Sequence, residues 1–305
     1  MNLLRKDHFN APPVMFSAWT GAGNVGILSI DYLRRKLRSR LFAQIDMSRF
    51  ISPDSMNVRG GVAVFPEAPK SVFYHHHNPD LVFFESNAHA GVKQDREILN
   101  TVTAFALDLQ TPRIYTAAAL PHSMSHKADS EVLFAANNIS LISQLRSEGF
   151  DTMPDGTIGG LNGLMLGVAA SKGIEAVCLL ATIPAYAAAL TYPKGALAVV
   201  NAFSRLVGLT VDTAELRREN SKAEPVFDTV EENMREFFSS SPDSEQIVQA
   251  DRPQDIPEYV MDKIERLFEA AKKDRSRAPE LKNELDKWGL YELYENRFLD
   301  LFSDE

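Results

Sequence analysis

The chain has 305 residues, of which 45% are hydrophobic and 24% are charged, a composition typical of a globular protein with one or two domains. The formal net charge is −9, and residues 223–305 carry the whole acidic excess, with 22 acids against 11 bases. Because an acidic surface repels phosphate backbones, this charge argues against nucleic acid as a partner.

The first two thirds of the chain alternate short β-rich runs with helical patterns. We predict strands at residues 14–19, 41–46, 61–65, 71–75, 81–85, 113–118, 131–135 and 176–182. We predict helices at residues 24–38, 95–109, 140–148, 162–172, 195–207 and 213–219. Strands that alternate with helices favour an α/β fold with a largely parallel sheet covered on both faces.

A glycine-rich turn follows the first predicted strand, with the sequence Gly-Ala-Gly-Asn-Val-Gly at residues 21–26. With Asp46 at the end of the next apolar run, its spacing matches the dinucleotide-binding fingerprint. That fold needs a crossover helix after Asp46, whereas residues 58–66 and 69–74 are two short β-rich runs that predict a hairpin extension. We therefore interpret Gly21 and Gly23 as turn residues and the Asn24 side chain as the cap of the first helix.

Three consecutive histidines, His75 to His77, end the fourth predicted strand. Alternation along a strand puts His75 and His77 on one face, and a metal would still need a third ligand such as His89, His122 or His126. No carboxylate stands at a fixed ligand spacing beside them. We therefore expect a polar strand end and no metal site.

Polar or flexible residues follow three of the predicted strands. Because carboxyl ends of parallel strands line the usual crevice of such sheets, these residues should converge on any small-molecule site. The candidate ligand-binding residues are Gly21, Gly23, Asn24, Glu85, Asn87, His89 and Asn137. The sequence contains neither a nucleophile elbow nor a phosphate-cradling lysine motif, so we assign no catalytic residue and expect no cofactor.

The most apolar stretch, residues 177–192, is short for a membrane span and contains Pro184, so we predict a buried strand and a loop rather than a membrane segment. The single cysteine, Cys178, lies in this run and is interpreted as a small buried hydrophobic residue. One cysteine excludes an internal disulfide and a thiolate cluster, which favours a cytoplasmic protein.

The composition changes near residue 222, and a polar stretch at residues 239–245 predicts a loop or linker. Asp255-Ile256-Pro257 has the pattern of a helix start, and apolar stripes follow at residues 260–271, 281–288 and 290–302, with Gly289 stopping the second. We therefore divide the chain into an α/β core, residues 1–222, and an acidic α-helical region, residues 223–305.

Three motifs in this order resemble the proteasome assembly chaperone 2 family. They are the glycine turn at residues 21–26, Gly-Leu-Asn-Gly-Leu-Met at residues 160–165, and a helix led by Pro193 that runs into residues 206–216. The resemblance covers residues 11–220 and implies a three-layer α/β fold similar to nucleoside phosphorylases, with a largely parallel or mixed sheet. It implies a non-catalytic assembly chaperone or scaffold that forms homo-oligomers, for example trimers, and binds other protein subunits.

The sequence leaves two alternative functions open. The first is an enzyme with a phosphorylase- or nucleosidase-like crevice that binds a nucleoside or nucleotide near Glu85, Asn87 and His89. A deep pocket in which Glu85 faces His89 would favour it. The second, weaker alternative is a dinucleotide-dependent oxidoreductase, which an ordered helix directly after Asp46 would favour.

Overall fold

The computed structural model describes residues 2–4, 8–51, 55–67, 69–89, 91–239, 258–273 and 277–287, together with Leu290, Tyr294 and Phe298. The chain forms two compact units, Met1–Glu232 and Asn233–Glu305. The boundary predicted at residue 222 lies within a helix, Ala214–Ser239. The division at that residue stays a prediction.

The described residues of the first unit form one nine-stranded sheet and a separate two-stranded hairpin. The strands are β1 (Asn2–Leu3), β2 (Val14–Trp19), β3 (Arg40–Gln44), β4 (Asn57–Arg59), β5 (Val62–Val64), β6 (Ser71–His76), β7 (Leu81–Ser86), β8 (Arg113–His122), β9 (Val132–Ala136), β10 (Asp151–Thr152) and β11 (Glu175–Pro184). Strand order in the large sheet is β1-β3-β6-β7-β2-β8-β11-β9-β10. The central strands β7, β2, β8 and β11 are parallel, while β6 and β9 run antiparallel to them.

The α-helices of the described residues follow the alternation that the sequence predicts in the first unit. They are α1 (Val25–Lys36), α2 (Val92–Asp108), α3 (Ile139–Ser147), α4 (Gly160–Ser171), α5 (Pro193–Leu206), α6 (Ala214–Ser239), α7 (Glu258–Lys273) and α8 (Ala278–Lys287). Helices α1 and α5 pack on one face of the sheet, and α2 and α4 pack on the other. The predicted three-layer α/β fold with a mixed sheet is confirmed.

Alternating side chains of the central strands supply both cores of this three-layer structure. Phe16 of β2 faces α1 and α5 and stacks on Phe203 of α5 with ring centroids 4.3 Å apart. Trp19, also of β2, faces α2 and α4 and contacts Phe84 of β7 at 5.1 Å. A strand covered on both faces reads as a continuous apolar run, which is how β2 and β7 appear in the sequence.

The segment after β3 contains a hairpin rather than a crossover helix. Both of its strands, apart from Asn57, lie within the first of the two predicted runs, whereas the second run forms β6 and pairs with β3 and β7. A single 3-10 turn, Met47–Arg49, follows Asp46, and β4 and β5 then pair antiparallel. Strand β3 lies three positions from β2, since β6 and β7 stand between them. This is not the dinucleotide-binding arrangement, in which the strands of the first βαβ unit are neighbours.

Helix α6 is the element that the sequence predicts least well. The predicted helix covers residues 213–219, whereas α6 runs from Ala214 to Ser239 and contains Pro225. A proline inside a helix removes one hydrogen bond and is a normal stop signal. Leu216 and Phe227 are nevertheless buried against the core, so tertiary packing maintains the helix through the proline.

The second unit has a small apolar core of its own among the described residues. Buried side chains of α7 and α8 pack together, and Lys263 forms an ion pair with Glu284 at 2.8 Å. The core consists of Ile264, Leu267, Phe268, Ala271, Ala278, Leu281, Leu285, Leu290 and Phe298. The first two predicted apolar stripes are confirmed at these positions. The predicted helix start at residues 255–257, residues 288 and 289, and most of the third stripe lie outside the described residues.

Candidate functional site

The glycine turn between β2 and α1 is shaped by the protein's own packing. Gly23 has a φ of +63°, and a Cβ there would lie 3.1 Å from the side chains of Ile183 and Val25. Its backbone N–H donates to the Ala188 carbonyl at 2.8 Å, and its carbonyl accepts from the Tyr192 N–H at 2.8 Å. The predicted role of Gly23 as a turn residue is confirmed by this conformation.

Asn24 stands at the N-cap position of α1 but does not cap it with its side chain. Its backbone is left-handed, with a φ of +51°, and its side chain accepts no hydrogen bond from the first turn. Capping side chains normally require an extended backbone at this position, which explains why the predicted cap is wrong. The Asn24 amide instead donates to the Thr191 hydroxyl at 3.1 Å.

Gly26, the last glycine of the motif, allows α1 to lie directly against the sheet. A Cβ at this position would be 2.4 Å from the carbonyl oxygen of Ala117 in β8, which no real side chain can occupy. Asp46, the acid of the apparent fingerprint, accepts hydrogen bonds from the amide and hydroxyl of Ser48. The glycines and the acid therefore have structural partners that account for them.

Asn162 connects the second motif to the first. Its Oδ1 accepts from the Trp19 N–H at 3.0 Å, and its Nδ2 donates to the Trp19 carbonyl at 3.2 Å. Asn162 is buried, and its own carbonyl accepts from the Thr116 hydroxyl at 2.9 Å. The last residue of β2 is thereby bonded on both backbone groups by a side chain 143 positions away. No local sequence pattern could have indicated this pair.

Glu85, at the carboxyl end of β7, is held by Arg34 of α1. The Arg34 Nε donates to Glu85 at 2.8 Å, and its Nη2 donates to Asp31 at 2.6 Å. Tyr74 donates its hydroxyl to Glu85 at 3.3 Å and lies beneath the guanidinium, 4.5 Å from the ring centroid. Burial opposes the charge on Arg34, but the hydrogen bond and charge of Glu85 together with the charges of Tyr74 and Asp31 outweigh it and raise the pKa of the guanidinium.

Asn87 and His89 also bond to neighbouring residues at this edge. The Asn87 side chain accepts from the Lys70 N–H at 2.7 Å, and its backbone N–H donates to the Lys70 carbonyl. The His89 Nε2 lies 2.8 Å from the Thr20 hydroxyl. Glu85 is bound to Arg34 and His89 to Thr20, so the two predicted site residues are not arranged as a facing acid–base pair.

An open groove of about 470 Å³ lies at this edge, between the ends of β2 and β7 and the first turns of α1. It gathers three of the predicted residues with several that the sequence analysis did not identify. Its lining consists of Thr20, Asn24, Ile27, Leu28, Asp31, Lys70, Glu85, Ser86, Asn87 and Thr191. A groove of this volume matches the size of small-molecule sites, although such sites are usually enclosed.

Asn137 does not join this groove, and its predicted convergence with the other residues is wrong. Strand β9 runs antiparallel to β11, so the residue that follows it lies at the opposite edge of the sheet. There the Asn137 side chain accepts from the Ala176 N–H at 3.0 Å and donates to the Ile174 carbonyl at 2.9 Å. It fixes the start of β11, which is a structural role.

The histidines at the end of β6 are embedded in packing contacts. His75 is buried, with its ring 5.5 Å from Phe42 and 5.0 Å from His77. His77 pairs with Asp80 at 2.8 Å, and burial lowers the pKa of His76. In the part of the chain that the structure describes, no three His, Cys, Asp or Glu side chains are grouped to hold a metal ion.

Comparison with protein-family models identifies one family whose matched region contains these motifs. The PAC2 family model matches residues 15–230, which is most of the chain. The chain belongs to the PAC2 family. The resemblance to the proteasome assembly chaperone 2 family is thereby confirmed, and the glycine turn and the Asn162 helix both lie within the matched region. Among curated proteins, none matches this PAC2 sequence.

Solved structures of several PAC2-like proteins share the fold. The proteasome activator PbaB of the archaeon Pyrococcus furiosus is 22% identical with a TM-score of 0.64, over 75% of this chain and 97% of its own. A PAC2 family protein from Streptomyces avermitilis is 19% identical with a TM-score of 0.60, over 78% and 100%. A proteasome-assembly chaperone homologue from Mycobacterium tuberculosis is 17% identical with a TM-score of 0.59, over 77% and 100%.

A second polar cluster of this PAC2 chain joins the loop after β8 to α6. His126 is buried, with Nδ1 2.7 Å from Glu231 and Nε2 3.3 Å from Asp228. Ser125 and Tyr186 also donate their hydroxyls to Glu231, both at 2.9 Å. Burial opposes the Glu231 charge, but these hydrogen bonds outweigh it and lower its pKa to about 2. These bonds hold the part of α6 that lies beyond the helix predicted at residues 213–219.

The described residues contain no helix with the length and hydropathy needed to cross a bilayer.

Proposed function

We propose that this PAC2 protein is a non-catalytic, cytoplasmic assembly factor that self-associates and binds other protein subunits, in a role related to proteasome assembly. Family membership supports the assembly role, and the names of the structural relatives, a proteasome activator and an assembly-chaperone homologue, support the link to the proteasome. The acidic helical region, residues 223–305, is proposed to buttress the core or to take part in the oligomer contact.

The non-catalytic assignment rests on one observation, namely that polar groups at the carboxyl edge of the sheet are bonded to other residues of the fold. In open α/β sheets this edge normally presents free polar groups to a ligand. Here Asn162 bonds both backbone groups of Trp19, Arg34 binds Glu85, and the Lys70 backbone binds Asn87. A reacting ligand would have to displace bonds that the fold already makes.

Native mass spectrometry of the full chain purified from its own cells tests this proposal. We expect an oligomer that carries protein subunits. A protein that is a bare monomer under these conditions would contradict the self-association. A co-purifying nucleoside or nucleotide at one copy per chain would overturn the non-catalytic reading in favour of the enzyme.

The open groove supports one alternative function, that of an enzyme that binds a nucleoside or nucleotide. Asp31 and Lys70 line it beside the predicted residues Asn24, Glu85 and Asn87, so it offers both charges and several hydroxyl and amide groups. Isothermal titration with a set of nucleosides and nucleotides tests this alternative. Saturable binding of one of them, together with its chemical conversion by the protein, would establish it, and the absence of binding heat would exclude it.

A further inference from the structure

The hairpin β4–β5 exposes apolar side chains along its whole length. Residues 55–65 are all exposed, and the exposed fractions reach 69% for Val58, 62% for Val62 and 73% for Phe65. Isolated exposed apolar residues are ordinary, but a contiguous group on one projecting element marks an interaction surface.

Both faces of the hairpin carry apolar side chains. Val58 and Ala63 are cross-strand partners and share one face, while Val62 and Val64 project from the other. A two-stranded ribbon by itself is only marginally stable in water, and three or more strands give independent stability. In the part of the chain that the structure describes, no further strand pairs with either edge of this ribbon. The apolar faces and the two-stranded size of this ribbon are those expected of a sheet that a further strand completes.

The two-residue turn determines which backbone groups face outward. Gly60 and Gly61 have φ of +58° and +82°, as in a type I′ turn, so the flanking residues Arg59 and Val62 form a hydrogen-bonded pair. The next pair, Val58 and Ala63, is then non-hydrogen-bonded. The N–H and C=O of Ala63 consequently point away from β4, toward the outer edge of β5.

This outer edge lacks the features with which proteins protect edge strands. Charged side chains, prolines and bulges normally prevent such an edge from pairing with another chain. Residues 62–65 read Val-Ala-Val-Phe without a charge, and Pro66 follows only after them. Strand β4 carries Arg59 at its own edge, so β5 is the less protected of the two.

We propose that β5 pairs antiparallel with β5 of a second copy of this chain, with the two copies of Ala63 opposite each other. The occupant follows from the symmetry of the segment, because Ala63 has a valine on either side and a two-fold contact sets each Val62 against a Val64. In the same register, Phe65 lies beside the Gly61 turn of the other copy. The result is a four-stranded ribbon, which removes both unprotected β5 edges. This inference rests on the proposed self-association and specifies its surface.

A disulfide introduced at the symmetry centre tests the register. Opposed residues in a hydrogen-bonded antiparallel pair have Cα atoms about 5.5 Å apart, which suits a disulfide. The native Cys178 is fully buried, and burial raises the pKa of its thiol to about 12, so it does not compete. We expect Ala63→Cys to form a covalent dimer under mild oxidation.

Val58→Cys is the matched control, because Val58 lies on the same face of the same hairpin but on the other strand. In the four-stranded ribbon its two copies are separated by three strand spacings, about 14 Å, beyond the reach of a disulfide. We expect its covalent dimer to form at least tenfold more slowly than that of Ala63→Cys. Equal rates, or a faster Val58→Cys, would overturn the proposal.

Two single proline substitutions test the same contact without introducing a covalent bond. Ala63→Pro removes an N–H that faces outward and is not used within the hairpin, so it should weaken the dimer about tenfold or more. Val58→Pro removes the equivalent N–H on the β4 edge and should leave the dimer unchanged. The dissociation constants come from sedimentation, and circular dichroism checks that both variants are folded.

The outcomes separate this inference from the proposed function. If the wild-type protein is a monomer and Ala63→Cys stays unlinked, both the self-association and its surface are wrong. If the wild type is an oligomer that persists in Ala63→Pro while Ala63→Cys stays unlinked, the β5 contact alone is wrong. If Ala63→Pro dissociates the oligomer and Val58→Pro does not, the edge is assigned.

Discussion

Gly26→Ala should destabilise the first unit, because helix α1 and strand β8 touch at this residue. An added Cβ would lie 2.4 Å from the Ala117 carbonyl oxygen and 3.1 Å from the Ala18 Cβ, and neither neighbour can rotate away. Overpacking of this kind costs about 1–3 kcal/mol. Alanine regains up to about 1 kcal/mol of helix propensity over glycine. A contact this close to a backbone oxygen belongs at the upper end of the overpacking range, so we expect a net loss of about 2 kcal/mol in the free energy of unfolding.

Urea unfolding followed by circular dichroism measures this loss, and amide hydrogen exchange in α1 and β8 locates it in the first unit. Gly167→Ala is the matched control, since this glycine is inside α4 and a Cβ there meets open space. That substitution should stabilise the protein by about 0.5–1 kcal/mol. If Gly26→Ala is as stable as the wild type, the packing role of the glycine motif is refuted and a ligand role must be reconsidered.

Two further substitutions probe the other contacts on which the fold depends. Asn162→Ala leaves the buried N–H and C=O of Trp19 without partners and should cost about 1–3 kcal/mol or more in urea unfolding, whereas Asn138→Ala removes only the cap of α3 and should cost about 1 kcal/mol. Equal losses would contradict the role given to Asn162. The lowered pKa of Glu231, from 4.5 to about 2, adds stability that is present above pH 4.5 and lost as the pH falls toward 2. Glu231→Gln should therefore flatten the fall of the melting temperature in this range, and parallel curves for the two proteins would contradict it.

Local pattern predicted most of the first unit because its strands are short, apolar and bounded by helices. The predicted strand at residues 14–19 is found as Val14–Trp19, and β-structure rather than a crossover helix follows Asp46, as the pattern indicates. Strand direction is different, because it depends on how non-adjacent segments pair. The sequence of β9 does not show that it runs antiparallel to β11, so position in the sequence predicts the wrong edge for Asn137.

The candidate site was predicted by position rather than by chemistry. Glu85, Asn87 and His89 do lie at the carboxyl edge, as the strand ends indicated. Their partners were not predictable, since Arg34 lies in the last turn of α1 beside Arg35 and Lys36, and basic residues at a helix end are normally solvated and complement the helix dipole. Residue identity predicts that the Asn24 side chain caps α1, whereas the left-handed backbone at that position prevents this.

The segment between β3 and β6 argues against a dinucleotide-binding function and contains the proposed dimer surface. In a dinucleotide-binding fold this stretch would be a crossover helix that leads to a parallel strand. Here it is the exposed β4–β5 hairpin, and the chain returns through β6 antiparallel to β3. That return moves Asp46 three strands from the glycine turn, while Gly26 and Asn162 fasten the carboxyl end of β2 to α1, β8 and α4. With its usual ligand edge bonded internally, the first unit presents its most exposed apolar ribbon at the hairpin, which is where a protein partner, rather than a cofactor, should be sought.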